Sequence, residues 1–132
     1  MALPNGAGGY QVTDGNVGEP ILFVQGAPTA LTAAATVTAA QLANGLFTFN
    51  GTAGDLTLPT VADLEAYVSS ASKVDSAFDF FVVNIDAGTD DVTVAIGTGW
   101  TLVGAGQVDN GTSGHFRARK TGDGAWTCYR IS

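Results

Sequence analysis

Short β-prone runs separated by turn-forming residues fill the chain from residue 78 to residue 131. Most of the runs are rich in Val, Phe, Trp or Thr, and the segments between them contain the Gly, Asn and Asp residues that tight turns need. The runs occupy residues 78–85, 92–96, 100–103, 114–119 and 126–131. Regular spacing of this kind is typical of antiparallel β-domains. We therefore predict an all-β fold, an antiparallel β-sandwich of jelly-roll type with one short helix and an extended N-terminal arm.

Residues 78–85 give the strongest strand prediction in the chain. Residues 80–83 are apolar on both faces, which places this strand centrally in a sheet. The final hairpin is the clearest local prediction, because Gly122 and Gly124 flank Asp123 between two β-prone runs. The side chains predicted to form the core are Phe80, Val82, Val94, Leu102, Phe116 and Trp126.

The first part of the chain carries weaker strand signals. Asn-Gly pairs at 44–45 and 50–51 bracket a strand at 46–49, since each pair supplies the left-handed backbone of a tight turn. A run at 21–24 is the first predicted strand. Residues 31–37 are rich in Thr and Ala and are predicted as a strand that leads into a helical turn at 39–42.

One helix is predicted with a defined start. A short strand at 56–58 stops at Pro59. Thr60 and Asp63 then have the spacing of a helix N-terminus, with Asp in place of the usual Glu or Gln. Apolar residues recur on one face beyond them, which predicts a helix over residues 60–71 that packs across the sheet.

The composition fits one globular domain. The chain has 132 residues, of which 45% are apolar, and this excludes wholesale disorder. The glycines have no period of three, which excludes collagen. The apolar runs are far shorter than the roughly 20 residues that span a bilayer, and the start lacks the basic and apolar segments of a signal peptide. A soluble protein without a signal peptide is the expectation.

The first 20 residues differ from the rest of the chain. They contain five Gly and two Pro, with Val12 and Val17 as their only β-branched aliphatic residues. Such a segment offers little to a hydrophobic core. We predict an extended arm at 1–20 and a β-sandwich domain at 21–132.

Charge is distributed unevenly along the chain. The net charge of −7 argues for solubility and against general affinity for nucleic acid. Residues 31–91 hold eight acids and one base, whereas residues 92–132 hold four bases and two acids. Acidic and basic zones suit head-to-side contacts between copies or with an oppositely patterned partner. The alternative is two solvated faces without a partner.

Nucleophiles and metal ligands are sparse. Cys128 is the sole cysteine, so no intrachain disulfide forms, and its β-prone surroundings favour a small buried thiol. A nucleophilic cysteine needs a base such as His115, the sole histidine, and the sequence does not bring the two together. One His and one Cys do not make a zinc site. Asp86, Asp90 and Asp91 could bind Ca²⁺, but their spacing lacks the order of a calcium loop and favours a solvated turn.

Other catalytic patterns are weak or missing. No phosphate-binding loop and no Gly-x-Ser-x-Gly motif occurs, and the glycines at 97 and 99 lead into a strand rather than a helix. Asp79 with Trp100 or Trp126 could line a sugar cleft. The stronger interpretation pairs Asp79 with Arg117 or Arg119 on the surface and buries the tryptophans. No catalytic, cofactor-binding or metal-binding residue is assigned.

Several segments together resemble a known family. They are residues 37–45, residues 51–59 with the helix that follows, residues 99–102 and the terminal strand at Trp126. In order and character, from about residue 30 to residue 132, they resemble the small capsid decoration (cement) proteins of tailed bacteriophages, and more loosely other phage virion β-domains.

The resemblance implies a non-enzymatic structural protein on the outer surface of a phage capsid, made in the host cytoplasm. Such proteins form homotrimers, bind the major capsid protein and bridge neighbouring capsomers, often through an N-terminal arm. It implies no cofactor, no nucleic-acid partner and no membrane partner. A receptor-binding or fibre-tip β-domain is the alternative, and it would favour exposed aromatic residues near Trp100 and residues 104–111. A small carbohydrate-active enzyme is the third class considered.

Overall fold

The computed structural model describes residues 22–69 and 73–132. Within them the chain forms ten β-strands and two short α-helices. In chain order these are β1 (Thr29–Leu31), β2 (Ala35–Thr36), α1 (Ala39–Asn44), β3 (Leu46–Phe49), β4 (Gly54–Thr57), α2 (Val61–Tyr67), β5 (Ala77–Asn84), β6 (Val92–Ala95), β7 (Trp100–Val103), β8 (Gln107–Val108), β9 (Ser113–Gly122) and β10 (Ala125–Arg130).

The strands form two sheets. The six-stranded sheet has the order β1-β3-β5-β9-β10-β7, and the four-stranded sheet has the order β2-β4-β6-β8. From β1 to β9, consecutive strands alternate between the two sheets. Within each sheet the first three strands run parallel: β1, β3 and β5 in one, and β2, β4 and β6 in the other. The chain therefore winds in successive coils that each add one strand to each sheet.

The predicted antiparallel jelly-roll sandwich is wrong. Five strand pairs are parallel, and only β5–β9, β9–β10 and β6–β8 are antiparallel. The Asn-Gly pairs explain the error. The pair at 44–45 ends α1, where Gly45 is left-handed with φ 79°, and the pair at 50–51 lies where the chain crosses from β3 to the other sheet. The left-handed backbone predicted for both pairs is found at 44–45 but not at 50–51, where neither residue has a positive φ, and neither pair closes a hairpin.

Both helices begin at capped positions. The Thr38 hydroxyl accepts a hydrogen bond from the Gln41 backbone at 3.2 Å, and the Gln41 side chain accepts one from the Thr38 backbone at 2.9 Å. The helical turn predicted at 39–42 is confirmed and continues to Asn44 as α1. The start of the helix predicted at 60–71 is confirmed, since Thr60 caps α2, but α2 ends at Tyr67. Residues 70 and 71 lie outside the described residues.

Two of the early strand predictions are also wrong. Residues 22–24 form no strand and are exposed, while Ile21 lies outside the described residues. The strand predicted at 31–37 is divided into β1 and β2, which belong to different sheets. The Ala- and Thr-rich sequence shows no break there, so the crossing between sheets left no local signal.

Side chains from both sheets share one hydrophobic core. Phe80 on β5 stacks on Phe116 of β9 with ring centroids 5.2 Å apart, and it meets Phe47 edge-on at 6.4 Å. Five of the six core predictions are confirmed as buried: Phe80, Val82, Val94, Phe116 and Trp126. Leu102 is only partly buried and packs against the edge of the core.

An ion pair between a buried lysine and a partly exposed glutamate attaches α2 to the six-stranded sheet. The Lys120 ammonium lies 2.9 Å from the Glu65 carboxylate, which also accepts a hydrogen bond from the Trp126 indole at 3.0 Å. Lys120 is 5% exposed. The hydrogen bonds from Lys120 and Trp126 lower the pKa of Glu65, because they stabilise its ionised form. The contact fixes the helix across one end of the core.

Candidate functional site

The outer faces of the two sheets differ in chemistry. On the four-stranded sheet, the side chains that alternate with the buried ones are small or polar. They are Thr36, Asp55, Thr57, Thr93, Ala95 and Gln107. Such a surface is typical of a sheet that faces water.

The outer face of the six-stranded sheet is instead aromatic and charged. We call it the aromatic face, and the strand register places on it Leu46, Asp79, Phe81, Val83, Val103, His115, Arg117, Arg119 and Tyr129, together with the small or polar residues Ala30, Thr48, Ala77, Thr101, Ser113 and Thr127. Phe81 and Val103 are 42% and 48% exposed. β5 is therefore apolar on its inner face and partly apolar on its outer face.

A network of contacts surrounds Asp79 on this face. Arg117 donates from Nε to Oδ1 of Asp79 at 2.6 Å and from Nη2 to Oδ2 at 2.9 Å. His115 Nε2 lies 2.9 Å from the same Oδ2, and the His115 ring stacks on Phe81 with centroids 4.5 Å apart. The Arg117 hydrogen bonds, helped by His115, lower the pKa of Asp79 to about 2 against the opposing effect of burial. Asp79 is thus ionised at neutral pH, with both oxygens occupied.

Arg119 is the centre of a second group of contacts. It donates from Nε and Nη2 to the Tyr129 hydroxyl at 3.2 and 2.9 Å, and its guanidinium carbon lies 5.7 Å from the centre of that ring. Nη1 donates to Asp75 at 2.6 Å. Asp75 has φ 77°, a backbone conformation uncommon for a residue other than Gly, Asn or Asp. The contacts hold the Arg119 side chain in one position across the sheet.

The structure decides between the two sequence interpretations of Asp79. Arg117 is its partner, whereas Arg119 pairs with Asp75. Trp100 and Trp126 are 6% and 1% exposed, so neither is an open platform for a sugar. The sugar-cleft hypothesis therefore has no support in the arrangement of these side chains.

Cys128 and His115 do not form a catalytic pair. Cys128 lies opposite Ala118 on the inner face of the sheet and is fully buried. His115 is on the outer face, in contact with Phe81 and Asp79. Burial raises the pKa of the Cys128 thiol to about 12, which leaves it protonated at neutral pH. Cys128 is a buried thiol, as its sequence context predicts.

The acidic loop at 86–91 uses its carboxylates to close turns. Asp86 Oδ2 accepts hydrogen bonds from the backbone of Gly88 at 2.8 Å and Asp90 at 3.2 Å. Asp91 Oδ1 accepts from the backbone of Asn110 at 2.9 Å. In the part of the chain that the structure describes, no three His, Cys, Asp or Glu side chains are grouped as metal ligands.

A second surface lies at the start of the described chain. We call Leu22, Phe23 and Val24 the apolar strip, and they are 79%, 83% and 98% exposed. The next residues are held to the domain. Gln25 Nε2 donates to the Asn44 carbonyl at 2.8 Å, and Asn44 Nδ2 donates to the Ala27 carbonyl at 2.9 Å. The predicted arm at 1–20 precedes the strip and lies outside the described residues.

Sequence reasoning missed the aromatic face as a unit. The alternation in residues 114–120, where His115, Arg117 and Arg119 are separated by small or apolar residues, was the available signal. The sequence predicts that Phe81 lies in a strand buried on both faces, whereas Phe81 is 42% exposed. Its exposure depends on whether another element packs on the outer side of the sheet, and the local sequence does not show this. No spacing in the sequence indicated that Phe81 would stack on His115.

Within residues 22–69 and 73–132, no helix is long and apolar enough to cross a bilayer. The chain matches no known protein-family model, no curated protein and no solved structure at a significant level.

Proposed function

We propose that this protein is a non-enzymatic structural protein of a phage virion. It decorates the outer capsid surface as a homotrimer, binds the major capsid protein and stabilises the shell by bridging neighbouring capsomers. The proposal is supported by the resemblance of residues 30–132 to capsid decoration proteins. The structural observation that carries it is the exposed apolar strip at 22–24.

The strip has the properties of a protein contact. Burying a large aliphatic or aromatic side chain stabilises a complex or a core by about 1.5 to 3 kcal/mol. All three side chains of the strip are uncharged and at least 79% exposed. Three consecutive side chains of this kind leave a large apolar surface uncovered, and such surfaces mark contacts with other molecules. A capsid groove that accepts an extended segment would cover it.

The strip is also placed so that it can bind without disturbing the domain. The hydrogen bonds between Gln25, Ala27 and Asn44 attach the chain at the end of α1. The core cluster begins at Val37 and contains no residue of the strip. Contacts made by the strip therefore do not compete with those that hold the fold.

The alternative, a receptor-binding or fibre-tip domain, has less support. It calls for exposed aromatic side chains near Trp100 and residues 104–111. Trp100 is buried, and its indole donates to the Pro59 carbonyl at 2.8 Å. Exposed residues at 103–105 are Val103, Gly104 and Ala105, which offer no aromatic group to a receptor.

The test is reconstitution on phage heads that lack the protein. Purified full-length protein is added to such heads, unbound protein is removed by sedimentation, and the particles are imaged by electron microscopy. The proposed function predicts density at regular positions over the outer shell. Absence of binding to these heads would overturn it, and density confined to tail fibres would favour the alternative.

A variant set tests the strip itself. The triple substitution Leu22→Ser, Phe23→Ser and Val24→Ser is expected to reduce head occupancy at least tenfold. The matched control places serine at Tyr67, Val74 and Ile96, which are 58%, 53% and 40% exposed elsewhere on the domain. The control should bind like the wild type. Equal occupancy by both triple variants would show that the strip does not contact the capsid.

A further inference from the structure

We infer that the aromatic face of the six-stranded sheet is the surface through which copies of this chain associate. The inference adds an association surface to the proposed function. It rests on that function for the number of copies, which is three. The occupant is a second copy of the same chain.

The chemistry of the aromatic face is that of a protein interface. Phe, Tyr and Arg are enriched at such interfaces, whereas Lys, Glu, Asp, Ser and Ala are depleted, and of these the face carries Asp79, Ser113, Ala77 and Ala30. The face carries Phe81, Tyr129, Arg117 and Arg119, and it has no Lys or Glu. The outer face of the four-stranded sheet provides a comparison within the same molecule, because its strand residues include no aromatic side chain and no Arg.

The apolar part of the face continues across neighbouring strands. Leu46 on β3 lies beside Phe81 on β5, which lies beside His115 on β9. Val83 is on the same side, two residues beyond Phe81. A strand with apolar side chains on both faces is typical of a sheet that is covered on both sides. Within the described chain only the inner side of β5 is covered by the core.

The charged side chains of the face are already fixed in position. Arg117 makes two hydrogen bonds to Asp79, and Arg119 makes three hydrogen bonds to Tyr129 and Asp75. Both guanidinium groups remain on the surface, with side chains 50% and 39% exposed. Long side chains that are ordered before binding lose less conformational entropy when a partner arrives. The arginine side chains of the aromatic face are therefore ordered before a partner binds.

The balance of charge indicates a second copy. Arg117 is matched by Asp79 on the face and Arg119 by Asp75 in the turn before β5, so these four groups sum to zero. The net charge of −7 therefore comes entirely from the rest of the chain. The net negative charge of two copies therefore does not oppose their approach at these four groups. Because the aromatic face carries both positive and negative side chains, a second copy can place its carboxylates against guanidinium groups without bringing like charges together.

The size of the face is adequate for such a contact. Six strands spaced about 4.8 Å apart cover about 24 Å, and the eight residues of β5 are about 26 Å long. The projected area is on the order of 600 Å², near the roughly 800 Å² that each partner buries in a standard interface. A contact that covered most of the face would be large enough for a stable oligomer.

The experiment measures molar mass by light scattering after gel filtration of the full-length chain at tens of micromolar. The wild type is expected to be an oligomer. Phe81→Arg should give a monomer, since it puts an unpaired charge in the middle of the face. Thr93→Arg is the matched control on the outer face of the other sheet and should remain oligomeric. Circular dichroism and thermal melting confirm that each variant is folded.

Val103→Arg at the edge of the same face is a second variant, in case Phe81→Arg fails to fold. Hydroxyl-radical footprinting of the wild type needs no variant, and it should show Phe81 and Tyr129 becoming protected as protein concentration rises. A monomeric wild type would overturn the inference. So would folded Phe81→Arg and Val103→Arg variants that keep the wild-type mass, or an oligomer in which Phe81 and Tyr129 stay unprotected.

The result separates this inference from the proposed function. An oligomer that dissociates on Phe81→Arg, formed by a protein that does not bind phage heads, supports the inference and ends the capsid role. A monomeric protein that decorates phage heads supports the capsid role and overturns the inference. If the free protein is monomeric and Phe81→Arg abolishes head binding, the aromatic face contacts the capsid and the inference is overturned.

Discussion

Asp79 and Arg117 face each other across β5 and β9, and the guanidinium group of Arg117 binds both oxygens of the Asp79 carboxylate, at 2.6 and 2.9 Å. Bidentate pairs of this geometry are stronger than single surface contacts. The same carboxylate orients His115, which in turn stacks on Phe81. One acidic residue therefore organises three other side chains of the aromatic face, Arg117, His115 and, through His115, Phe81.

The Asp79 pair makes stability depend on acid pH. The pKa of Asp79 is about 2 in the folded protein, compared with an ordinary value of 3.8. A depressed pKa stabilises the fold above the ordinary value, and that contribution is lost as the pH falls from about 4 to about 2. After allowance for solvent screening we expect about 1 to 2 kcal/mol.

Urea unfolding of the wild type and Asp79→Asn at pH 7 and near pH 2 measures this effect. The difference between the two proteins should be large at pH 7 and small near pH 2. Asp55→Asn, an exposed carboxylate on β4, serves as the control. A difference for Asp79→Asn that does not change with pH would contradict the assigned role.

Phe80 and Phe81 are adjacent residues with opposite orientations. Phe80 is fully buried against Phe116, whereas Phe81 is 42% exposed. Phe80→Ala is expected to cost about 3 to 5 kcal/mol because it leaves a cavity in the core. Phe81→Ala should cost less than about 1 kcal/mol in a dilute sample in which copies do not associate. Urea denaturation compares the two, and a loss below about 1 kcal/mol for Phe80→Ala would show that the register of β5 is wrong.

The ion pair between Lys120 and Glu65 should be costly to break from one side. Glu65→Ala removes the carboxylate from a lysine that is 5% exposed. We expect a loss of about 1 to 3 kcal/mol, since the change removes a charged hydrogen-bond partner from both Lys120 and Trp126. The double variant Glu65→Ala with Lys120→Met should recover part of that loss. A double-mutant cycle measured by chemical denaturation checks it, and purely additive losses would argue against direct coupling.

Removal of residues 1–20 should separate binding from folding. Their composition offers few apolar groups to a core, so the melting temperature is expected to change by less than about 2 °C. Occupancy on phage heads should fall, because the predicted arm precedes the apolar strip in the chain and is expected to contribute to the same contact with the capsid. A collapse of the melting temperature would instead indicate that Val12 and Val17 complete a sheet as an edge strand.

Local structure followed from the sequence better than topology did. The final hairpin was predictable because β9 and β10 are joined by the short turn at Asp123 and Gly124. β5 was predictable from its continuous apolar run. The parallel pairing of β3 with β5 was not, since 27 residues separate them and turn residues do not show which strands will pair. The sequence limited the partner of Asp79 to Arg117 or Arg119, and only the register of β5 and β9 selects Arg117.

The position of β1 has a mechanical consequence. β1 is an edge strand of three residues, paired in parallel with β3, and residues 25–28 connect it to the apolar strip. If the apolar strip is bound to a capsid shell that expands or is under mechanical stress, the force is transmitted to the domain at Gln25 and then to β1. The Gln25–Asn44 hydrogen bond would yield first, and β1 would then shear from β3 while the aromatic core stayed intact. We expect pulling from the N-terminus to show a small early extension well below the force that unfolds β5 and β9. The domain would thus have a short compliant link between its anchor and its rigid body.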